Sequence, residues 1–291
     1  MSGALYETIS VPVDGGDLVV GVWGPPQAPV VLAPHGITGN HLHMAFLARH
    51  LPDLRVVAPD LRGRGGSALL PGPWGMVNHA RDLVAILDHL GVDQAPVVGH
   101  SMGAFVAVQV AAEHPERVPR IVLIDGGLAL QVPAGVDVDA MIEAVIGPAM
   151  QRLRTTFGSV DSYRDFWKQH PAFANDWSDI VQAAVDYDLV GDPGELHSSV
   201  SLDAVRADGG DALVDDRVKT ALARTRCPIH LLWAERGMLD QEPGLYVDEM
   251  IAPFRDLLGE RFTDERVAGV NHYTIGLSDR GAARVAAAIG C

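Results

Sequence analysis

The stretch VVGHSMGAF, residues 97–105, decides the fold. A β-branched run closes at Val98, and MGAFVAVQVAAEH (102–114) then carries the apolar content of a helix up to Pro115. Between them lies Gly99-His100-Ser101-Met102-Gly103, with the spacing G-x-S-x-G. A serine on a sharp strand-to-helix turn is crowded against its neighbours' backbone, and glycines two positions to either side relieve that crowding. Such a turn lifts the Ser101 hydroxyl out of the sheet. It also places the Met102 N–H at a helix N-terminus, where developing negative charge is stabilised. The bare motif recurs by chance and can mark a merely structural elbow. Its weight here comes from the strand before it and the helix after it.

Outward from that turn, short apolar runs alternate with helical segments. DLVVGVWG (17–24), PVVLAPHG (29–36), LRVVAPDLRG (54–63), APVVGHS (95–101) and PRIVLIDGG (119–127) read as strands, and HARDLVAILDHLG (79–91) as an amphipathic helix stopped by Gly91. That alternation predicts βαβ units around a parallel sheet, hence an α/β protein. From Ala129 to Thr225 strand-like runs vanish, and aromatics, acidic residues and helical periodicity take over. CPIHLLWAE (227–235) restores a strand, LYVDEMIAPFRDLLG (245–259) a helix, RFTDERVAG (261–269) a short extended stretch, and RGAARVAAAIG (280–290) a closing helix. The division expected is a core of residues 1–128 and 226–291 with a helical lid at 129–225.

Bulk properties narrow the class. Of 291 residues, 48% are hydrophobic and 20% charged, enough for a sizeable core. Lys plus Arg number 22 against 37 Asp plus Glu, a formal net charge of −15, which argues against nucleic acid and anionic membrane surfaces as partners. Cys227 and Cys291 give neither a disulfide framework nor a metal-ligand spacing, so no metal is expected. No stretch resembles a signal peptide or a membrane span, and a cytoplasmic protein is the default expectation. Oligomeric state is not read from the sequence.

A serine hydroxyl needs a general base held by a carboxylate. Among 12 histidines, His272 in VAGVNHYTI follows the last strand and precedes the last helix, at the sheet edge where Ser101 emerges. His100 points away and packs beside the turn. In PHGITGN (34–40), Gly36 is expected to take an unusual backbone angle that turns the Ile37 N–H inward. Ile37 and Met102 are then the two oxyanion donors.

HGITGN, PDLRGRGGS, VVGHSMGA, IVLIDGG and GVNHYTI occur in the order seen in the α/β-hydrolase superfamily, and the chain resembles a member with a helical cap after the sixth strand. The resemblance covers nearly the whole chain, least clearly 129–225. It implies a mainly parallel eight-stranded sheet with helices on both faces, a Ser-His-acid triad and no cofactor. It also implies a structural loop from Asp60, Arg62, Gly63, Gly65 and Ser67. Relatives with Asp at the elbow, such as haloalkane dehalogenases and epoxide hydrolases, are set aside by Ser101. The acid departs from the pattern. In WAERGMLDQEP (233–243), Gly237 stands where much of the superfamily has Asp. Asp240 lies three residues on, and Glu235 reads as a structural partner. Asp125, at the end of the sixth strand, resembles the acid of haloalkane dehalogenases and zearalenone-type lactone hydrolases. Asp125 is the first choice and Asp240 the second.

The function expected is cleavage of a carboxylic ester or lactone, with a small, hydrophobic substrate. Hydrolysis of a C–C bond, cofactor-free perhydrolysis, and non-catalytic ligand binding are the alternatives. Aromatics of the insertion, from Phe157 to Tyr187, are expected mostly to pack its own core, and Met102, Met141, Met150 and Met238 to be available to a pocket. Arg152 and Arg154 read as a solvated helix face.

Overall fold

The computed structural model describes residues 5–130 and 137–290. Of the expectations above, Cys291 and residues 131–136 of the insertion lie outside that range. Strands and helices run in the order β1 (Tyr6–Val13), β2 (Gly16–Trp23), β3 (Val30–Leu32), α1 (Ala45–Arg49), β4 (Arg55–Pro59), α2 (Met76–Leu90), β5 (Val97–His100), α3 (Met102–Glu113) and β6 (Ile121–Ile124). Then follow α4 (Val138–Leu153), α5 (Val160–Lys168), α6 (Asp179–Asp188), β7 (Leu189–Val190), β8 (His197–Ser198), α7 (Leu202–Val214) and α8 (Asp216–Arg224). The chain closes with β9 (Ile229–Arg236), α9 (Asp248–Leu258), β10 (Phe262–Asn271), α10 (Thr274–Leu277) and α11 (Asp279–Ile289).

Eight strands form one sheet in the order β1-β2-β4-β3-β5-β6-β9-β10. From β4 to β10 the pairs are parallel, whereas β1–β2 and β2–β4 are antiparallel. The fold class read from the sequence is therefore the one observed. Side chains of the inner strands alternate between two cores. Leu32, Val57, Val97, Leu123 and Leu231 pack with α2, α3, α8 and α9 on one face. Val31, Val56, Val98, Val122 and Leu232 pack with α1 and α11 on the other. Burial on both faces explains why these runs are continuously apolar. β1 escaped the sequence reading because it is an edge strand, exposed along most of its length, hairpinned to β2 through Asp14 and Gly15.

Between β6 and β9 stand α4 to α8 and a hairpin of two two-residue strands, β7–β8, which the periodicity does not announce. Phe157, Tyr163, Trp167 and Phe173 cluster with Phe46, Leu277 and Ala282 of the sheet-bearing part, so they join the insertion to the rest rather than filling it alone. α8 packs onto the core through Val218, Ala221 and Leu222. Among the described residues, no helix is long and apolar enough to cross a membrane.

Strand order reverses at β3, which sits between β4 and β5. Open parallel sheets bind ligands beyond the strand carboxyl ends at such a reversal. The loops after β3, β5, β6 and β10 all end there, carrying Ile37, Ser101, Asp125 and His272.

Candidate active site

Ser101 has φ 54° and ψ −118°, in a region that residues with a side chain rarely occupy. Its N–H donates to the Ile124 carbonyl at 2.8 Å, and its carbonyl accepts from Ala104 N at 3.0 Å, pinning the turn between β6 and α3. The flanking glycines answer to close approach. A Cβ on Gly99 would lie 2.1 Å from the Gly103 carbonyl oxygen, and one on Gly103 2.1 Å from the Pro34 carbonyl oxygen. Gly126 is constrained the same way, 2.2 Å from the Ser101 carbonyl oxygen.

His272 brings Nε2 to 3.0 Å from Ser101 Oγ and Nδ1 to 2.6 Å from Asp125 Oδ2. Asp125 is fully buried, with φ 46°, and its other oxygen accepts from Ala234 N at 3.0 Å. With Nδ1–H directed at the carboxylate, Nε2 is left to accept the serine proton. Asp240 goes elsewhere. Its Oδ1 accepts from Arg236 Nε at 2.7 Å and Asn271 Nδ2 at 2.9 Å. Glu235 accepts from Gly269 N and pairs with Arg266, as a structural partner would. Asn271 orients the His272 loop, since its Oδ1 accepts from Tyr273 N and Thr274 N.

His100 stands beside this line rather than in it, as expected. Its Nε2 donates to the His272 carbonyl at 2.7 Å. Burial first, and the neighbouring His272 second, push its pKa down to about 3, so it stays neutral. His35 is held in the same way. Nδ1 donates to the Gly36 carbonyl at 2.7 Å, and Nε2 accepts from Leu61 N at 3.1 Å. Burial pushes its pKa to about 3.

Met102 opens α3, so its N–H has no intrahelical acceptor. Ile37 N–H makes no hydrogen bond among the described residues. Both residues border the space beside Ser101. Gly36 does not take the unusual backbone angle expected of it. Its φ is not in the left-handed region; a Cβ there would sit 3.2 Å from Ser101 Cβ, so glycine serves closeness to the elbow.

Arg64, which the sequence reading passed over between Arg62 and Gly65, braces this loop. Its Nε donates to the Ile37 carbonyl at 3.0 Å and its Nη1 to Arg62 O and to Asp208 of α7. Asp208 also accepts from Gly75 N at 2.6 Å and meets His79 Nε2 at 3.0 Å. Burial opposes its ionisation, but His79 and Arg64 outweigh that and hold its carboxyl below the usual range. Arg62 and Ser67 are structural, bonding to Asp82 and to Val19 N. Asp60 accepts from His41, Gly66 N and Tyr187 of α6. Arg152 is a second correction. It is not solvated but about 1% exposed, paired with Asp188 and Tyr163, donating to Thr38 O at 3.2 Å and lying over the Trp167 ring.

Two spaces open on Ser101. An apolar cavity of about 90 Å³ is lined by Ile37, Met102, Phe105, Leu130, Ile142, Leu213, Met238 and Leu245. A tighter one of about 20 Å³ is bordered by Gly36, Thr38, His43, His272 and Tyr273. Of the four methionines considered, Met102 and Met238 line the apolar cavity, and Met150 is buried in the insertion's packing. Among the described residues, no three His, Cys, Asp or Glu side chains are grouped as a metal site would need.

Comparisons with known proteins agree with this architecture. Residues 29–183 match the family model of the alpha/beta hydrolase fold. A 146-residue stretch is 37% identical to Lipase LipV of Mycobacterium tuberculosis, covering 49% of this chain and 56% of that protein. Another of 143 residues is 32% identical to the bifunctional esterase/perhydrolase DCH of Acinetobacter calcoaceticus, covering 48% and 52%. The chain thus spans about half the length of these relatives. Over its whole length it superimposes on the crystal structure of E-2-(acetamidomethylene)succinate hydrolase, with TM-score 0.78, 21% identity and 98% of each chain covered, a likeness of fold alone.

Proposed function

The chain belongs to the alpha/beta hydrolase family, and from that premise we propose that it is a serine hydrolase cleaving a carboxylic ester or lactone. The observation that carries this reading is the hydrogen-bonded line Ser101–His272–Asp125 at the N-terminus of α3. His272 Nε2 takes the Ser101 proton as Oγ attacks the ester carbonyl. The resulting oxyanion is received by the N–H groups of Ile37 and Met102, each donor worth about 3 kcal/mol in the transition state. His272 returns the proton to the leaving alkoxide, and the acyl group stays on Ser101. Water, deprotonated by His272, then attacks the acyl-enzyme, and His272 passes that proton to Ser101 Oγ as the acid is released. Asp125 holds the tautomer throughout and faces the imidazolium. The insertion, residues 129–225, acts as the lid, with α8 as its anchor on the core, and its apolar lining suits a hydrophobic portion of a small substrate.

The experiment is turnover of p-nitrophenyl esters together with labelling by a fluorophosphonate probe. The wild-type protein is expected to do both, and Ser101→Ala neither, while keeping its far-ultraviolet circular dichroism. Undiminished turnover by the folded variant refutes the mechanism. A wild-type protein that neither turns over esters nor takes the probe is a binding protein on the same fold.

A further inference from the structure

The tight space beside Ser101 continues into a second one of about 20 Å³, and Thr38, His43 and Tyr273 border both. At its far side lies Arg152, whose Nε is buried with no hydrogen-bond partner. The rest of that guanidinium is committed: Nη1 goes to Asp188 and Tyr163, and Nη2 makes one bond, to the Thr38 carbonyl. The Nε–Nη2 edge is the side of an arginine that takes a carboxylate in a bidentate grip, as Arg62 does here with Asp82. The other polar groups at this place are also unspent. Among the described residues, the Thr38 hydroxyl, the His43 ring and the Tyr273 hydroxyl make no hydrogen bond. Each can donate. A buried donor left without an acceptor, as Arg152 Nε is, is costly, and with three half-buried, unpaired polar groups beside it the site is shaped for an acceptor that arrives from outside. Asp188 does not fill that need. It faces the opposite edge of the guanidinium and is already satisfied by Tyr163, Ser198 and Ser199.

We propose that this pocket receives a carboxylate of the substrate, so that the preferred ester carries an anionic group on the Arg152 side of the scissile carbonyl and an apolar group on the side of the 90 Å³ cavity. The proposal rests on the hydrolase reading above and narrows it to half-esters of dicarboxylic acids. Ser101 lies between the two spaces, bordering the tight one and the apolar one alike. The pocket is too small for a bulky anion and suits one compact planar group.

The test compares mono-p-nitrophenyl esters of succinic, glutaric and adipic acid with the chain-matched neutral esters. In the wild-type protein, kcat/KM for at least one half-ester is expected to exceed that of its neutral partner by about tenfold or more, the worth of a charge-assisted hydrogen bond. Arg152→Lys keeps a cation for Asp188 but removes the side-on fork, and this ratio should fall at least about tenfold. Tyr273→Phe, which breaks no bond of the folded protein, should lower the ratio as well. Separately, calorimetry with glutarate on Ser101→Ala reads the pocket without catalysis. Equal treatment of charged and neutral esters, with no glutarate binding, overturns the proposal and leaves the pocket to water. Glutarate binding that Tyr273→Phe weakens, in a protein that turns over no ester, upholds the pocket and removes the hydrolase reading instead. If Arg152→Lys fails to fold, the Tyr273→Phe ratio and the calorimetry decide.

Discussion

Replacing Asp125 by Asn tests the acid of the site. The two are the same size, so packing is preserved, but the hydrogen-bond pattern is not. Ala234 N–H already donates to one Asp125 oxygen at 3.0 Å. In Asp125→Asn the amide oxygen must take that place, since an NH₂ there would meet another donor. The NH₂ then points at His272 Nδ1, which sits 2.6 Å from the present Oδ2. His272 can only accept, so its proton moves to Nε2, the nitrogen 3.0 Å from Ser101 Oγ. A base protonated on that side cannot take the serine proton. The stabilisation of the imidazolium is lost too. Opposite charges centred roughly 4 Å apart at an effective dielectric near 20 interact by about 4 kcal/mol, or about a thousandfold in rate. With the tautomer effect, kcat should fall by about 10³- to 10⁴-fold with KM little changed. Asp240→Asn should lose less than about tenfold, because Asp240 acts on His272 only through Asn271. The assay is steady-state hydrolysis of a p-nitrophenyl ester by both variants, with thermal melts to confirm folding. A loss below about tenfold in Asp125→Asn, or a larger loss in Asp240→Asn, refutes the assignment.

Two further outcomes concern stability. Asp208→Ala leaves Arg64 and His79 buried beside an absent partner, and should cost about 3–5 kcal/mol in urea unfolding; a loss under about 1 kcal/mol would show that the cluster contributes little. His35 and His100 have folded pKa values near 3 against an ordinary 6.5, so between those values the unfolded chain binds two protons that the native state refuses. Their contribution is therefore whole well above pH 6.5 and shrinks as pH falls through it, by about 4 kcal/mol for the pair between pH 7.5 and 5. Urea midpoints at pH 7.5 and 5.0 check this, and equal midpoints contradict it.

The inner sheet was legible because its strands are apolar runs buried on both faces, most of them short and β-branched, and a glycine or proline lies within two residues of each strand's carboxyl end. The strand β10 was less so. It was expected to stop at Gly269, but a register irregularity between Val267 and Asn271 carries pairing on to Asn271. That irregularity delivers His272 directly off the strand end. The sequence ranks Asp125 before Asp240 only by resemblance, since both sit in loops at one sheet edge. Only the distances separate them. Even the positive φ that marks strain at Asp125 recurs at Asp240.

What periodicity could not convey is the polar face of the insertion. A helical arginine or aspartate reads as solvated when its neighbours in sequence are polar, because the rule knows only the helix it sits on. Arg152, Asp188 and Asp208 are instead buried against residues as far as 144 positions away. These contacts converge on one place. In the loop after β3, the Ile37 carbonyl is held by Arg64, itself held by Asp208 of α7. The Thr38 carbonyl is held by Arg152 of α4, and Asn40 Nδ2 donates to the Ala184 carbonyl of α6 at 2.9 Å. The loop that carries the Ile37 N–H is thus braced from three helices of the insertion, at the positions that follow it. Each brace is a hydrogen bond whose strength falls steeply with distance and angle. A shift of those helices by an ångström or two would loosen this loop before it disturbed Ser101, whose turn is fixed by glycine contacts within the sheet.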